Sequence, residues 1–139
     1  MTAVKQQVGD ELAPLPLEPI SRTTLALFAG ASGDFNPIHI DLDVAHSAGL
    51  DDVFCHGMLS MAYLGRLITK WVPQSHLRSF DVRFVSITPV HAQPTCRGKV
   101  TAVKVVGGRT VVTVAIDVVL ADGTSTLSGV ATVELPESA

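Results

Sequence analysis

Three long apolar runs joined by short glycine turns restrict the fold more than any other feature of this sequence. The runs TCRGKVTAVKVV, RTVVTVAIDVVL and TSTLSGVATVEL are separated by Gly107-Gly108 and Asp122-Gly123. Turns of this kind between alternating apolar runs are strong β-hairpin signals. The preceding run, LRSFDVRFVSI, also alternates, with Phe80, Val82 and Phe84 on the expected core face. The second half of the chain therefore predicts an antiparallel meander.

The first half of the chain predicts helices, the last of which is the most apolar. Ser21 is a good N-cap for a helix over SRTTLALFAGAS, which we expect Gly30 and Gly33 to end. The run GMLSMAYLGRLITKWV is apolar almost all round, as is typical of a buried helix, and Pro73 ends it. Helices followed by hairpins predict an α+β fold in which a curved antiparallel sheet wraps one long buried helix.

Size and charge restrict the domain organisation and the partners expected for this chain. A chain of 139 residues predicts a single domain over residues 1–139. The net charge is −3 and the ten Lys and Arg residues are scattered, so we expect no nucleic-acid partner. Charged residues make up only 17 % of the chain, which indicates that part of the surface is hidden, as it would be against a second subunit.

The sequence also predicts a cytoplasmic protein without a membrane segment. The N-terminus MTAVKQQVGDELAP lacks the apolar core of a signal peptide, and no apolar run reaches the roughly 18 residues of a membrane helix. Cys55 and Cys96 form no CxxC motif. We therefore expect two ordinary thiols in a reducing compartment and no zinc or redox site.

The stretch SGDFNPIHID, residues 32–41, is the first candidate site. Asp and Asn beside Gly and Pro are typical of a turn, so each polar residue alone has a simple structural explanation. Pro37 disfavours helix at Asn36, and we expect an extended segment that aims Asp34 and His39 at a common point. Apolar neighbours such as Phe35 would partly desolvate the carboxyl group. An imidazole and a carboxyl group around one water form a proton-transfer pair.

His-Gly-Met at residues 56–58 is the second candidate site, at the start of the buried helix. Helix N-termini carry unpaired N–H groups and a partial positive charge, and glycine lets a ligand approach the backbone. Gly57 is therefore either an oxyanion-hole donor to a carbonyl oxygen or a residue that allows tight packing. We expect His56 to cap the helix and, with Met58, to support the substrate or the loop.

Together the two motifs resemble those of the MaoC-like dehydratases, also called (R)-specific enoyl-CoA hydratases, which have the hotdog fold. ASGDFNPIHID at 31–41 and FCHGML at 54–59 carry the resemblance, FDVRFVSITPV at 80–90 supports it, and it covers residues 17–136. It implies a hotdog domain that pairs edge to edge in a dimer. Many relatives continue with Gly-Asp after this Pro-Val, but here HAQPT follows and leaves His91 as a loop histidine.

The resemblance also implies roles for the candidate residues. Asp34 and His39 match the catalytic pair, and the Gly57 N–H matches the oxyanion donor. Asn36 matches the residue that holds the loop and the water. The residues that match the scaffold of the loop are Ser32 and Gly33. Which member of the catalytic pair is the base and which is the acid stays open, although His39 is favoured as the base towards water.

The implied reaction is the reversible hydration of a trans-2-enoyl thioester to a (3R)-3-hydroxyacyl thioester. It needs no metal or redox cofactor, and coenzyme A or acyl carrier protein serves as the substrate carrier. The expected partners are the acyl thioester and a second hotdog subunit, identical or different. A hotdog thioesterase is one alternative, but the helix that starts at Gly57 contains no Asp or Glu to act on a thioester. A non-catalytic acyl-binding subunit is another, and it would lack Asp34 or His39.

Overall fold

The computed structural model describes residues 6–136, which form an antiparallel sheet of five strands around one long helix. The strands are β1 (Leu15–Pro16), β2 (Leu77–Phe84), β3 (Thr95–Val106), β4 (Arg109–Val119) and β5 (Ser125–Pro136). The helices are α1 (Arg22–Ser32), α2 (Leu42–Ser47) and α3 (Gly57–Trp71), with 3-10 turns at Pro37–His39 and Gln74–His76. Both ends of the predicted domain, residues 1–5 and 137–139, lie outside the described residues. Among residues 6–136, no helix has the length and apolar character needed to cross a bilayer.

The three apolar runs of the second half form the centre of the sheet, as predicted. The strands follow the order β1-β3-β4-β5-β2, and all neighbours are antiparallel. Val106 pairs with Arg109 across a two-residue turn, in which Gly107 and Gly108 have φ angles of 55° and 77°. Hairpins favour two-residue turns with positive φ at both positions, because such turns match the twist of the strands.

One face of α3 forms the middle of the core. Leu64, Leu67 and Ile68 are at most 2 % exposed and pack in one cluster with inward residues of the central strands such as Val114. Burying each of these side chains contributes about 1.5–3 kcal/mol to the stability of the folded state. The sheet covers one side of this buried helix, and on the other side Met58 is 56 % exposed in the single chain.

The edge strand β2 also departs from expectation at its end. It pairs with β5 alone, and the strand predicted over LRSFDVRFVSI stops at Phe84. Phe80 and Val82 pack against the core, whereas Phe84 is 56 % exposed. The assignment of Phe84 to the core face is therefore wrong. The strand ends at this residue, and the ring lies over Gly57 at the rim of the sheet.

The ends of α1 depend on two residues. The Ser21 hydroxyl accepts a hydrogen bond from the Thr24 N–H at 3.0 Å, so the predicted N-cap is confirmed. Gly33 has a φ of 78° and donates its N–H to the Ala29 carbonyl at 3.1 Å. Gly30 lies inside the helix, so the prediction that it ends α1 is wrong. The left-handed conformation that ends the helix occurs at Gly33, directly before the candidate loop.

Two glycines allow a matched test of this packing. At Gly129 in β5 an added Cβ would collide with the Asp81 carbonyl oxygen of β2, whereas at Gly65 in α3 it would meet open space. We expect Gly129→Ala to lower the free energy of unfolding by about 2 kcal/mol or more, because the backbone of β2 or β5 must shift to make room for the added methyl group. We expect Gly65→Ala to raise it by up to about 1 kcal/mol, because alanine favours helix. Urea unfolding of both variants checks this, and equal stabilities would contradict the described contact between β5 and β2.

Candidate active site

The loop between α1 and α2 is a series of short turns closed by side chains. The Ser32 hydroxyl accepts a hydrogen bond from the Asp34 N–H at 3.1 Å, and Asp34 Oδ1 accepts one from the Asn36 N–H at 3.2 Å. Asn36 Oδ1 in turn accepts from the Ile38 N–H at 3.1 Å and caps the 3-10 turn Pro37–His39. The expectation of an extended segment is therefore wrong after Asn36. The turn and site interpretations are compatible, because these turns orient the side chains.

His39 is buried, and its hydrogen bond defines where its free lone pair lies. Its side chain is at the end of the 3-10 turn, the residue is 8 % exposed, and Nδ1 lies 2.8 Å from the Phe54 carbonyl oxygen. A carbonyl oxygen only accepts, so Nδ1 carries the hydrogen and donates it. The neutral ring then has its lone pair on Nε2, which can accept a proton.

His56 is the most deeply buried polar residue near the loop. It is 1 % exposed, and its Nε2 donates to the Asp34 carbonyl oxygen at 3.3 Å. Its ring stacks on that of His39, with centroids 4.0 Å apart and planes 30° apart. Although His56 is at the N-cap position of α3, its side chain makes no capping hydrogen bond, so the predicted capping role is wrong. Burial, and next the neighbouring His39, lower the pKa of His56.

The structure brings the two motifs together. A carboxylate oxygen of Asp34 and one ring nitrogen each of His39 and His56 all lie within 4.8 Å of one another. One water molecule can bridge groups at this separation. Asp34 itself is exposed and its neighbour Phe35 is 66 % exposed, so the desolvation expected for the carboxyl group is not provided within one chain. The result is a carboxyl group at the surface facing a buried imidazole.

The same three groups carry atom types that bind metal ions, but the two imidazole rings among them are stacked. Imidazole lone pairs lie in the ring plane, and the rings of His39 and His56 are stacked with planes 30° apart. Two stacked rings hold their lone pairs in two nearly parallel planes, whereas metal ligands must converge on one point. One nitrogen of each ring is also already engaged with a backbone carbonyl.

Gly57 opens α3 next to an apolar cavity. As the first helical residue it has an N–H without an acceptor inside the helix. A Cβ at this position would lie 2.9 Å from the ring of Phe84, so the tight-packing explanation of this glycine also holds. Phe54, Gly57, Phe84 and Ile87 help to line a cavity of about 250 Å³. Because Phe54 also binds His39, this cavity adjoins the histidine.

Other candidate residues have more peripheral positions. Met58 points outward beside Gly57, and His91 lies in an exposed turn with a φ of 70°. The sequence pattern does not indicate Phe54, which acts through its carbonyl group, or Phe28, whose ring contacts His56 edge-on at 4.8 Å. Any residue can supply a backbone carbonyl acceptor, so the side-chain pattern of the sequence cannot indicate the role of Phe54.

Comparison with known proteins identifies the family and the fold of the chain. The family model described as MaoC like domain matches residues 3–124. The chain belongs to this family. The fold of the MaoC-like chain matches the (R)-hydratase from A. caviae involved in PHA biosynthesis with a TM-score of 0.83 and 26 % identity, covering 96 % of this chain and 100 % of that one. This likeness confirms the predicted hotdog fold of the α+β class.

Two further relatives of this MaoC-like chain are informative. It matches a chain of the ChsH1-ChsH2 complex from Mycobacterium tuberculosis with a TM-score of 0.75 and 29 % identity, over 99 % of this chain and 100 % of that one. It is also 31 % identical over 97 residues, 70 % of this chain, to the mitochondrial 3-hydroxyacyl-[acyl-carrier-protein] dehydratase of Arabidopsis thaliana. It spans 56 % of that enzyme's length, and 4 % or less of two longer curated relatives.

The two cysteines of the MaoC-like chain are buried thiols. Cys55 is 3 % exposed, and its sulfur lies 3.3 Å from the His56 carbonyl oxygen and 3.6 Å from the Ser60 hydroxyl. Burial raises the pKa of Cys55 and raises that of Cys96 to about 12. Since the thiolate is the reactive form, both residues are expected to be inert in the folded protein.

We expect iodoacetamide at about pH 8 to leave both thiols unmodified in the folded protein and to label both in urea. The raised pKa of Cys96, about 12, keeps its thiol protonated at that pH, and both cysteines are buried. Mass spectrometry of the intact and digested protein checks this. Rapid labelling of Cys55 without unfolding would contradict its described burial.

Proposed function

We propose that this chain catalyses the reversible hydration of a trans-2-enoyl thioester to a (3R)-3-hydroxyacyl thioester. The observation that carries the proposal is the meeting of the Asp34 carboxyl group and a His39 ring nitrogen within 4.8 Å, close to the N-terminus of α3. Membership of the MaoC-like family and the likeness to an (R)-hydratase and to a 3-hydroxyacyl-[acyl-carrier-protein] dehydratase support it. Coenzyme A or acyl carrier protein is the proposed carrier of the acyl group.

In the hydration direction, His39 acts as the base. Its Nε2 lone pair, left free because Nδ1 donates to Phe54, takes a proton from water as the water oxygen bonds to C3 of the enoyl group. The π electrons of the C2–C3 double bond form a C1–C2 double bond, and the carbonyl π pair moves onto the thioester oxygen to give an enolate. As the C=O double bond reforms, the C1–C2 π pair is available at C2 to bond to a proton. The Asp34 carboxyl group gives a proton to C2, and the proton held by His39 later restores the acid. Dehydration follows the same steps in reverse.

Gly57 stabilises the charge that develops on the thioester oxygen. Its N–H is at the positive end of the α3 dipole, and the thioester oxygen accepts its hydrogen bond. Removal of one such donor typically costs about 3–4 kcal/mol of transition-state stabilisation. The reaction, as proposed, requires no metal or redox cofactor, because the acid, the base and the oxyanion donor all belong to the chain.

The proposed partner is a second hotdog subunit at the free edge of β2. Phe84, Val85 and Ile87 are each about half exposed at the end of this edge strand, and β2 pairs on one side only. An unpaired edge with exposed apolar residues favours pairing with another strand. One structural relative is a complex of two named chains, ChsH1 and ChsH2. We also propose a cytoplasmic location, where the free thiols of Cys55 and Cys96 stay reduced.

The first test is hydration of crotonyl-CoA, followed by loss of the enoyl-thioester absorbance. We expect activity in the parent protein and a loss of turnover of about 10²-fold or more in Asp34→Asn and in His39→Ala, because each removes one proton-transfer group. The matched controls Asp43→Asn and His46→Ala change exposed residues of α2 and should keep full activity.

Three outcomes would count against this proposal. Release of free thiol along with the loss of absorbance would indicate the thioesterase alternative. Full activity in both site variants would overturn the assignment of the catalytic pair, and no reaction with any chain length of enoyl-CoA or enoyl-ACP would favour the non-catalytic alternative.

The second test concerns association. We expect the purified protein to sediment as a dimer of twice the chain mass of 14.6 kDa, and Ile87→Lys to shift it towards the monomer, since a charge at an apolar interface is costly. The control Val105→Lys places the same charge on an exposed valine near the β3–β4 turn and should not change the mass. A monomeric parent protein would contradict self-association and point to a different partner chain.

A further inference from the structure

His56 is a buried imidazole to which the proposed reaction assigns no step. It is 1 % exposed and lies between two rings, His39 stacked at 4.0 Å and Phe28 edge-on at 4.8 Å. Its Nε2 donates to the Asp34 carbonyl, and its Nδ1 has no partner among the described residues. Since Nε2 carries the hydrogen, Nδ1 holds a lone pair in the neutral ring. A buried polar atom without a hydrogen-bond partner is costly, which indicates that the His56 side chain has a role.

The first reason is the position of Asp34. The side-chain hydrogen bonds within the described loop join residues two apart: Ser32 with Asp34, Asp34 with Asn36, and Asn36 with Ile38. Such bonds shape the loop but do not tie it to the rest of the molecule. The bond from His56 joins Asp34 to the start of α3, 22 residues away in the sequence. It therefore fixes the Asp34 backbone relative to the helix, and the hydrogen bond from the Asn36 N–H to Oδ1 orients the carboxyl group from there.

The second reason is the orientation of His39. A ring held by one hydrogen bond can still rotate about the side-chain torsions. The Nδ1 bond to Phe54 fixes one edge of the His39 ring, and the stack on His56 fixes its plane. With both constraints the His39 ring is held in one orientation, so the lone pair on its Nε2 points in one direction. His39 and Asp34 are the titratable groups that face His56, and burial together with His39 lowers the pKa of His56, so the supporting ring stays neutral.

We propose that His56 is a positioning residue for the acid–base pair, which holds Asp34 through its carbonyl group and His39 through its ring face. This inference rests on the proposed hydratase function. It predicts that His56 affects the rate of the chemical step and has little effect on substrate binding, because it touches the catalytic pair and no substrate. Small displacements of catalytic groups have large effects on rate.

Two variants separate the two contacts. His56→Phe keeps a ring that can stack on His39 but removes the hydrogen-bond donor to Asp34. His56→Gln keeps an amide donor near the position of Nε2 but removes the ring. We expect kcat on an enoyl-CoA to fall by about ten-fold or more in each variant, with KM within about three-fold of the parent value. The control His46→Phe removes an equivalent bond from His46 Nε2 to the Asp51 carbonyl outside the site, and should leave kcat unchanged.

A double-mutant cycle distinguishes positioning from general destabilisation. If His56 acts through the carboxyl group, His56→Phe should cost much less in an Asp34→Asn background than in the parent protein. A purely structural role would give the same further loss in both backgrounds. Circular dichroism and thermal unfolding show which variants are folded. If His56→Phe does not fold, His56→Gln replaces it in the cycle.

Different results would contradict the positioning role of His56 and the proposed hydratase function. An active parent protein whose folded His56 variants keep kcat overturns the positioning role and leaves the hydratase function intact. Equal losses in both backgrounds of the cycle, or a loss expressed in KM alone, also overturn it. A parent protein inactive on every enoyl thioester overturns the function and, with it, the role of His56.

Discussion

The packing of one face of α3 against the sheet sets the position of the segment that precedes the helix. Leu64 and Ile68, both 0 % exposed, hold α3 against the central strands, and a bridge between Phe54 and Pro89 holds the chain just before it. Protein cores are close packed, so neither the helix nor this segment can shift independently. The Phe54 carbonyl and His56 therefore form a fixed surface against which the loop between α1 and α2 lies.

Two reciprocal hydrogen bonds join the loop to that surface. His39 of the loop donates to the Phe54 carbonyl, and His56 donates back to the Asp34 carbonyl. The two rings that make these bonds stack on each other. Because each segment supplies one donor and one acceptor, displacement of either segment breaks both bonds and the stack. The acceptors are backbone groups, so the arrangement requires histidine at 39 and 56 but places no such demand on the side chain at 54.

The sequence predicts best those features that depend on neighbouring residues. The Ser21 cap and the Gly107-Gly108 hairpin follow from local conformational preferences, and the candidate pair lies within one short motif. Contacts between distant segments are different. The exposed position of Phe84 depends on where an edge strand ends, and the contacts of His56 join segments 22 residues apart. Single-residue preferences carry no information about either, which is why the core assignment of Phe84 and the capping role of His56 are wrong.

The two members of the proposed catalytic pair differ sharply in exposure, and this difference bears on the assembly. His39 is 8 % exposed, whereas Asp34 is open to solvent, and Phe84 and Met58 beside Gly57 are each 56 % exposed. A hydrogen bond to a developing oxyanion is worth most where water is excluded. A bound acyl thioester excludes water only from the groups that its own atoms contact. Exclusion of water from this face, for example by the second subunit proposed at the edge of β2, would therefore strengthen the hydrogen bond from the Gly57 N–H to the thioester oxygen.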